Sequence, residues 1–116
     1  PEAGLDLQQS RPSLMLKIIR SIQALDDLDG IYDYVAESSP QNADMLVRQF
    51  QNRFHLLASN PTVGRLRPEL MEGLRSWNLH RFVIFYFPAE DGIEIVRVLH
   101  SAMDIKAGHF GPAHKE

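Results

Sequence analysis

Cysteine is absent from the chain, so disulfides are excluded and no thiolate is available to hold a metal. Five histidines are present, His55, His80, His100, His109 and His114, but none has the close spacing of a zinc site. Neither a glycine-rich phosphate loop, a GxSxG elbow nor an HExxH pair occurs, so the chain offers no motif for nucleotide, serine-hydrolase or zincin chemistry. Neither a metal nor a cofactor is expected. Long hydrophobic runs are also missing. The strongest, FVIFYF from Phe82 to Phe87, is far short of the roughly 20 residues that a membrane helix needs. The first residues, PEAGLDLQQSRPS, lack a basic region followed by an apolar one, so no secretory signal is expected. A reducing cytoplasm fits these absences.

Positive charge in excess is missing too. The formal net charge is −3, which gives no general attraction to nucleic acid or to an anionic membrane. The charges that are present are unevenly placed. Asp26, Asp27, Asp29, Asp33, Glu37 and Asp44 crowd the first half, whereas Arg65, Arg67, Arg75, Arg81 and Arg97 lie in the second with no lysine among them. Arginine suits fixed anion contacts better than lysine does. With 116 residues, 44% of them hydrophobic, the chain can bury one core but not two independent ones.

Hydrophobic spacing gives the order of elements. LMLKIIR, Leu14 to Arg20, is short and follows Arg11-Pro12, and predicts a first strand after a loose tail over 1–13. From Ser21 the period changes. Ile22, Leu25, Leu28, Ile31, Tyr32 and Val35 recur at three- and four-residue intervals, with Asp26, Asp29 and Asp33 on the other side, as in an amphipathic helix whose acids are solvated. Gly30 within it costs about 1 kcal/mol relative to alanine, which calls for close packing there or for simple tolerance. Ser38-Ser39-Pro40 stops this helix and starts another. The second shows Ala43, Leu46, Val47, Phe50, Phe54, Leu57 and Ala58 along one stripe and ends at Asn60-Pro61. A loop follows from Asn60 to Gly73, with a helical turn expected near Pro68 to Met71. Three further strands are expected over Leu74 to Leu79, Arg81 to Phe87 and Gly92 to His100, then a short helix in SAMDIKAGHF and a frayed end over 111–116.

The predicted fold is therefore α+β, a β-α-α-β-β-β order in which a helical hairpin packs on a mainly antiparallel sheet. In DGIEIVRVLH, strict alternation puts Ile93, Ile95, Arg97 and Leu99 on one side and Glu94, Val96, Val98 and His100 on the other. Neither side is polar. Two helices can cover only one face, so this spacing predicts a half-apolar, arginine-bearing reverse face that another polypeptide would cover.

The string NPTVGRLRPELMEGLRS from Asn60, followed by HRFVIFYFPAEDGIEIVRVLHSAMDI, resembles the ParE branch of the RelE/ParE toxins of bacterial toxin–antitoxin modules. A proline and GRxRxEL after the second helix, GLRS entering a strand, VIFY, then DGIEIVRVLH with an aspartate four residues on, form a specific series. With DLDGIYDYVAE before it, the likeness covers Leu14 to Phe110 as one toxin domain. It implies the RelE/ParE fold and a toxin of a type II, plasmid-stabilisation module, held inactive by a cognate antitoxin of the ParD type or similar in a hetero-oligomer. For many ParE-like members it also implies inhibition of DNA gyrase by direct binding, with no cofactor. The toxin alone is not expected to bind DNA specifically.

The alternatives are a RelE-like, metal-independent messenger RNA endoribonuclease and a diverged, non-toxic interaction protein. Ribonuclease chemistry needs a base, cations at the phosphate and an acid for the leaving oxygen. Arg65, Arg67, Arg81 and Arg97 could supply cations, Glu69 or His100 the base, and His109 the acid. Against that, the lysines of one ribonuclease branch have no counterpart between Arg65 and Arg97. Where another branch has a C-terminal His-Tyr pair this chain has His109-Phe110, and phenylalanine cannot move a proton. The expected partner-binding residues are Arg65, Arg67, Trp77, Arg81, Arg97, His100 and Phe110, with no catalytic set. Arg97, inside an apolar strand, either meets a carboxylate or contacts a partner, since a buried charge needs one or the other.

Overall fold

The computed structural model describes residues 16–111. The tail expected over 1–13, the beginning of the first expected strand at Leu14 and Met15, and residues 112–116 lie outside them. The described elements are strand β1 (Lys17–Arg20), helix α1 (Ile22–Ser38), helix α2 (Pro40–Ser59), and strands β2 (Arg65–Leu66), β3 (Arg75–Leu79), β4 (Phe82–Ala89) and β5 (Gly92–His100). A 3-10 turn (Ala107–Phe110) follows. The five strands form one sheet in the order β1-β5-β4-β3-β2. Only β1 runs parallel to its neighbour; the other pairs are antiparallel. This is the predicted α+β fold with one strand added, the two-residue β2 inside the loop after α2.

Local chemistry starts and stops the helices as the spacing predicts. The Ser21 hydroxyl accepts the Ala24 amide at 3.0 Å and itself donates to the Val96 carbonyl at 2.9 Å, so one side chain caps α1 and ties it to β5. Ser39 accepts the Asn42 amide at 3.1 Å with Pro40 at the first helical position. The rotation of α1 differs from the simple apolar stripe. Ala24 is fully buried, whereas Ile22 and Leu25 are 78% and 46% exposed. The inward stripe is Ala24, Asp27, Leu28 and Ile31, so Asp27 belongs to the inner side and not to the solvated acidic face.

The largest departure concerns β5. Phe85 pairs with Arg97 and Tyr86 with Ile95, which leaves Val96 as the extra residue of a β-bulge. A bulge reverses the alternation beyond it. Ile93, Ile95 and Val98 therefore enter the core beneath the helices, with Phe50, Phe54, Leu57, Ile84 and Tyr86. Val96 and Leu99 enter a second core on the reverse face, with Leu70, Leu74, Val83, Phe85 and Phe110. The reverse face is thus roofed by the chain's own loop and C-terminal turn. The expectation that its apolar strand residues await another polypeptide is overturned, because Leu70, Leu74 and Phe110 already bury them. Phe110 meets Phe85 nearly edge-on at 4.9 Å, a geometry that adds about 1 kcal/mol to the burial itself.

The loop after α2 is fixed by Tyr86. Its buried hydroxyl accepts the Gly64 amide at 2.9 Å and donates to the Pro61 carbonyl at 2.7 Å. Arg75 adds bonds to the Gly64 and Thr62 carbonyls at 2.7 and 2.9 Å. The Arg67 amide donates to the Leu74 carbonyl at 2.8 Å, one step beyond the β2–β3 pairs, while its own carbonyl takes the Leu70 and Met71 amides, forming the expected turn. Burial pushes the Tyr86 phenol above its ordinary value, partly countered by the Gly64 amide. The folded state thus holds this proton more tightly than the unfolded chain, whose phenol titrates near pH 10. The resulting stability is complete below about pH 10 and is lost as pH rises through the folded value. Tyr86→Phe should cost about 2 kcal/mol at pH 7 by orphaning the Gly64 amide. It should also flatten the alkaline fall in melting temperature above about pH 10 relative to wild type; identical alkaline slopes would show that another group controls it.

Candidate functional site

Two grooves of the described surface gather residues expected at the site, and a third, of about 610 Å³ between α2 and the start of β4, shares Arg81 and Phe82 with the first of them. The first lies between α1 and the end of β5 and has a volume of about 520 Å³. Strand β1 pairs with β5 only over Gly92 to Ile95, so among the described residues no strand flanks this edge of β5 from Val98 to His100, where the Val98 amide is met by the Asp27 carboxylate instead. The floor is Ile31, Phe82, Val98 and Leu99, Gly30 lies in the helical wall, and Arg81 and His100 close one end. Tyr34 and Met103 stand on the rim at 76% and 44% exposure. Large apolar side chains left in solvent around a concave floor are the usual mark of a protein interface.

The wall of this groove is set by an internal ion pair. The Arg97 guanidinium meets the Asp27 carboxylate through two bonds, Nε to Oδ2 at 2.8 Å and Nη2 to Oδ1 at 2.9 Å. Asp27 Oδ2 also accepts the Val98 amide at 2.9 Å, and Arg97 Nη1 donates to the His109 carbonyl at 2.9 Å. One carboxylate therefore fixes α1 against the open edge of β5, and one guanidinium carries that fixation to the C-terminal turn. The two side chains are only 15% and 19% exposed. The Asp27 hydrogen bonds raise the Arg97 pKa, against the opposing effect of burial, so the cation is held charged.

The second groove, about 470 Å³, runs past β2 and β3 and is lined by Arg65, Arg67, Ser76, Trp77 and Asn78 among others. Arg65 is exposed. Arg67 is already engaged, by the Glu69 carboxylate at 2.8 Å and the Ser76 hydroxyl at 3.2 Å, with its guanidinium 5.7 Å from the Phe85 ring centre. The hydrogen bond from Arg67 in turn lowers the Glu69 pKa, so this carboxylate stays ionised as an ion-pair partner.

The seven residues expected to contact a partner thus separate. Arg81 and His100 share the first groove, and Arg65, Arg67 and Trp77 share the second, Trp77 also packing against the core under the helices. Arg97 is committed to Asp27, and Phe110 is buried in the reverse core. The groups weighed for ribonuclease chemistry separate likewise. Glu69 is paired with Arg67, the His100 Nδ1 accepts the Ala102 amide at 3.0 Å, and the His109 Nδ1 accepts the Lys106 amide at 2.9 Å. Among the described residues no group of three or more His, Cys, Asp or Glu could hold a metal ion, and no helix is long and apolar enough to cross a membrane.

Spacing alone misses Asp27, Gly30, Tyr34 and Met103. A signal for Asp27 does exist. An acid in phase with Ala24, Leu28 and Ile31 on a helix, and a lone arginine within an apolar strand, are each misplaced alone and are explained by one another.

Comparison with known proteins agrees with this architecture. Residues 18–105 match the family described as the ParE toxin of the type II toxin–antitoxin system parDE. The chain is 28% identical to Toxin ParE3 of Caulobacter vibrioides over 94 residues, 80% of this chain and 94% of that one. It is 31% identical to Toxin RelE2 of the same organism over 88 residues, 76% of this chain and 98% of the relative. A solved structure, the chromosomal ParDE TA system from P. aeruginosa, superposes with a TM-score of 0.62 at 27% identity, covering 74% of this chain and 96% of that one. Fold, strand order and sequence together place this chain in the ParE toxin family of type II toxin–antitoxin systems.

Proposed function

We propose that the protein is a toxin that acts by binding DNA gyrase without catalysing a reaction of its own, and that an antitoxin of the ParD type neutralises it by occupying the groove between α1 and β5. The observation that carries this reading is the family match across residues 18–105, nearly the whole described domain. The site geometry supports it. The groove combines an apolar floor, an open strand edge and exposed Tyr34 and Met103, the ingredients of a surface that takes a polypeptide segment. Arg81 has no ion-pair partner among the described residues and stands ready for a carboxylate of the bound chain.

The binding reading is favoured over RNA cleavage by how the alternative catalytic groups are used. The base candidates are consumed, Glu69 in an ion pair and His100 through the nitrogen that receives Ala102, and Arg97 is an internal clamp. General acid–base chemistry needs such groups converging on one reacting centre.

Purified protein added to gyrase in a supercoiling assay should abolish supercoiling, and pre-incubation with its cognate ParD-type antitoxin should restore it. Uninhibited gyrase together with cleaved messenger RNA would replace this reading with the ribonuclease one.

A further inference from the structure

Gly30 is an anomaly in α1. It sits in the ninth position of a 17-residue helix, where glycine is the least favourable residue other than proline. Interior packing does not require it, because a Cβ built at Gly30 would meet nothing within 4 Å. The residue is exposed and lies in the wall of the α1/β5 groove. The missing side chain leaves this part of the groove clear among the described residues.

Resting on the antitoxin reading above, we propose that Gly30 is a docking notch and sets partner specificity: a large apolar side chain of the antitoxin lies against the bare helix backbone at Gly30 and reaches the floor of Ile31 and Val98, while a neighbouring carboxylate of the same segment pairs with Arg81. The apolar chemistry follows from the floor, and the carboxylate from charge. Asp27, which also lines the groove, is taken up by Arg97, so it does not neutralise Arg81. His100 keeps its Nδ1 occupied by the Ala102 amide, which leaves Nε2–H as a further donor at the same end. Asp26 also lines the groove and disfavours a carboxylate beside it, which favours Arg81 as the carboxylate's place.

The notch is tested with Gly30→Leu and Asp29→Leu. Asp29 is an exposed position on α1 outside the groove lining. Leucine is a good helix former, so both variants should melt at or above the wild-type temperature, and a binding loss cannot come from misfolding. Titrated by calorimetry with the purified cognate ParD-type antitoxin, Gly30→Leu should bind at least tenfold more weakly and Asp29→Leu within twofold of wild type. Equal affinity of Gly30→Leu and wild type overturns the notch and leaves the antitoxin reading intact. If wild type itself does not bind, the antitoxin reading fails and the notch with it.

Discussion

Arg97→Ala should lower the unfolding free energy by about 3 kcal/mol, the cost of leaving one member of a buried ion pair uncompensated. For a domain of this size that is a fall of roughly 15 °C in melting temperature. The reasoning is local. Removing the guanidinium strands the Asp27 carboxylate at 15% exposure and releases the His109 carbonyl. Asp27→Ala should cost as much, because it removes the acceptor of the Val98 amide as well as the partner of Arg97. The double variant should lose less than the sum, since the members of a contacting pair are not additive. Arg97→Lys should recover only part of the loss, because an ammonium cannot reproduce the two-pronged geometry. Urea unfolding followed by circular dichroism reads all four variants. A change below about 1 kcal/mol in Arg97→Ala would mean that the pair behaves as a surface contact and that α1 is held by packing alone. Loss of toxicity in this variant should therefore track loss of fold, whatever Arg97 touches in a complex.

The second large effect is expected at Gly64. A Cβ there would fall on the Tyr86 hydroxyl and lie 2.9 Å from the Ser76 carbonyl oxygen. One obstacle is backbone of the neighbouring strand and the other is a ring packed in the core, so neither can retreat cheaply. Gly64→Ala should cost about 3 kcal/mol, at the upper end of core overpacking. It should also disturb the Arg65 and Arg67 groove, because β2 begins at the next residue. Thermal melts and amide exchange over residues 61–67 would measure it. A variant as stable as wild type would show that the 60–66 loop shifts as a body and that its attachment to Tyr86 is dispensable.

These two positions also mark what could be read from the sequence. The helices, their caps and the order of elements along the chain follow from period and punctuation, because Ser21, Ser39-Pro40 and Asn60-Pro61 act on their immediate neighbours, whereas the parallel place of β1 beside β5 does not. Gly64 and Tyr86 both stand in the family-like string, 22 residues apart, and the structure joins them by a hydrogen bond. That pairing is non-local, so no spacing rule announces it. The bulge at Val96 was hidden for a related reason. VRVL reads equally well on either face, and only the register with Phe85 and Tyr86 reveals the extra residue. Once it is present, the reverse core closes over Leu70, Leu74 and Phe110, and the proposed site for another chain is instead the groove beside α1. Arg81 and His100 remain candidates for it; Arg97 and Phe110 are explained by the fold itself.

The parallel pairing of β1 with β5 has a consequence for biosynthesis. The first described strand finds its neighbour only after more than 70 further residues exist, and Asp27 must wait as long for Arg97. Such distant closure makes the molecule slow to assemble and leaves its early half without a finished interior while synthesis continues. The completed sheet, and every contact that depends on it, therefore exists only after nearly all of the domain has been translated.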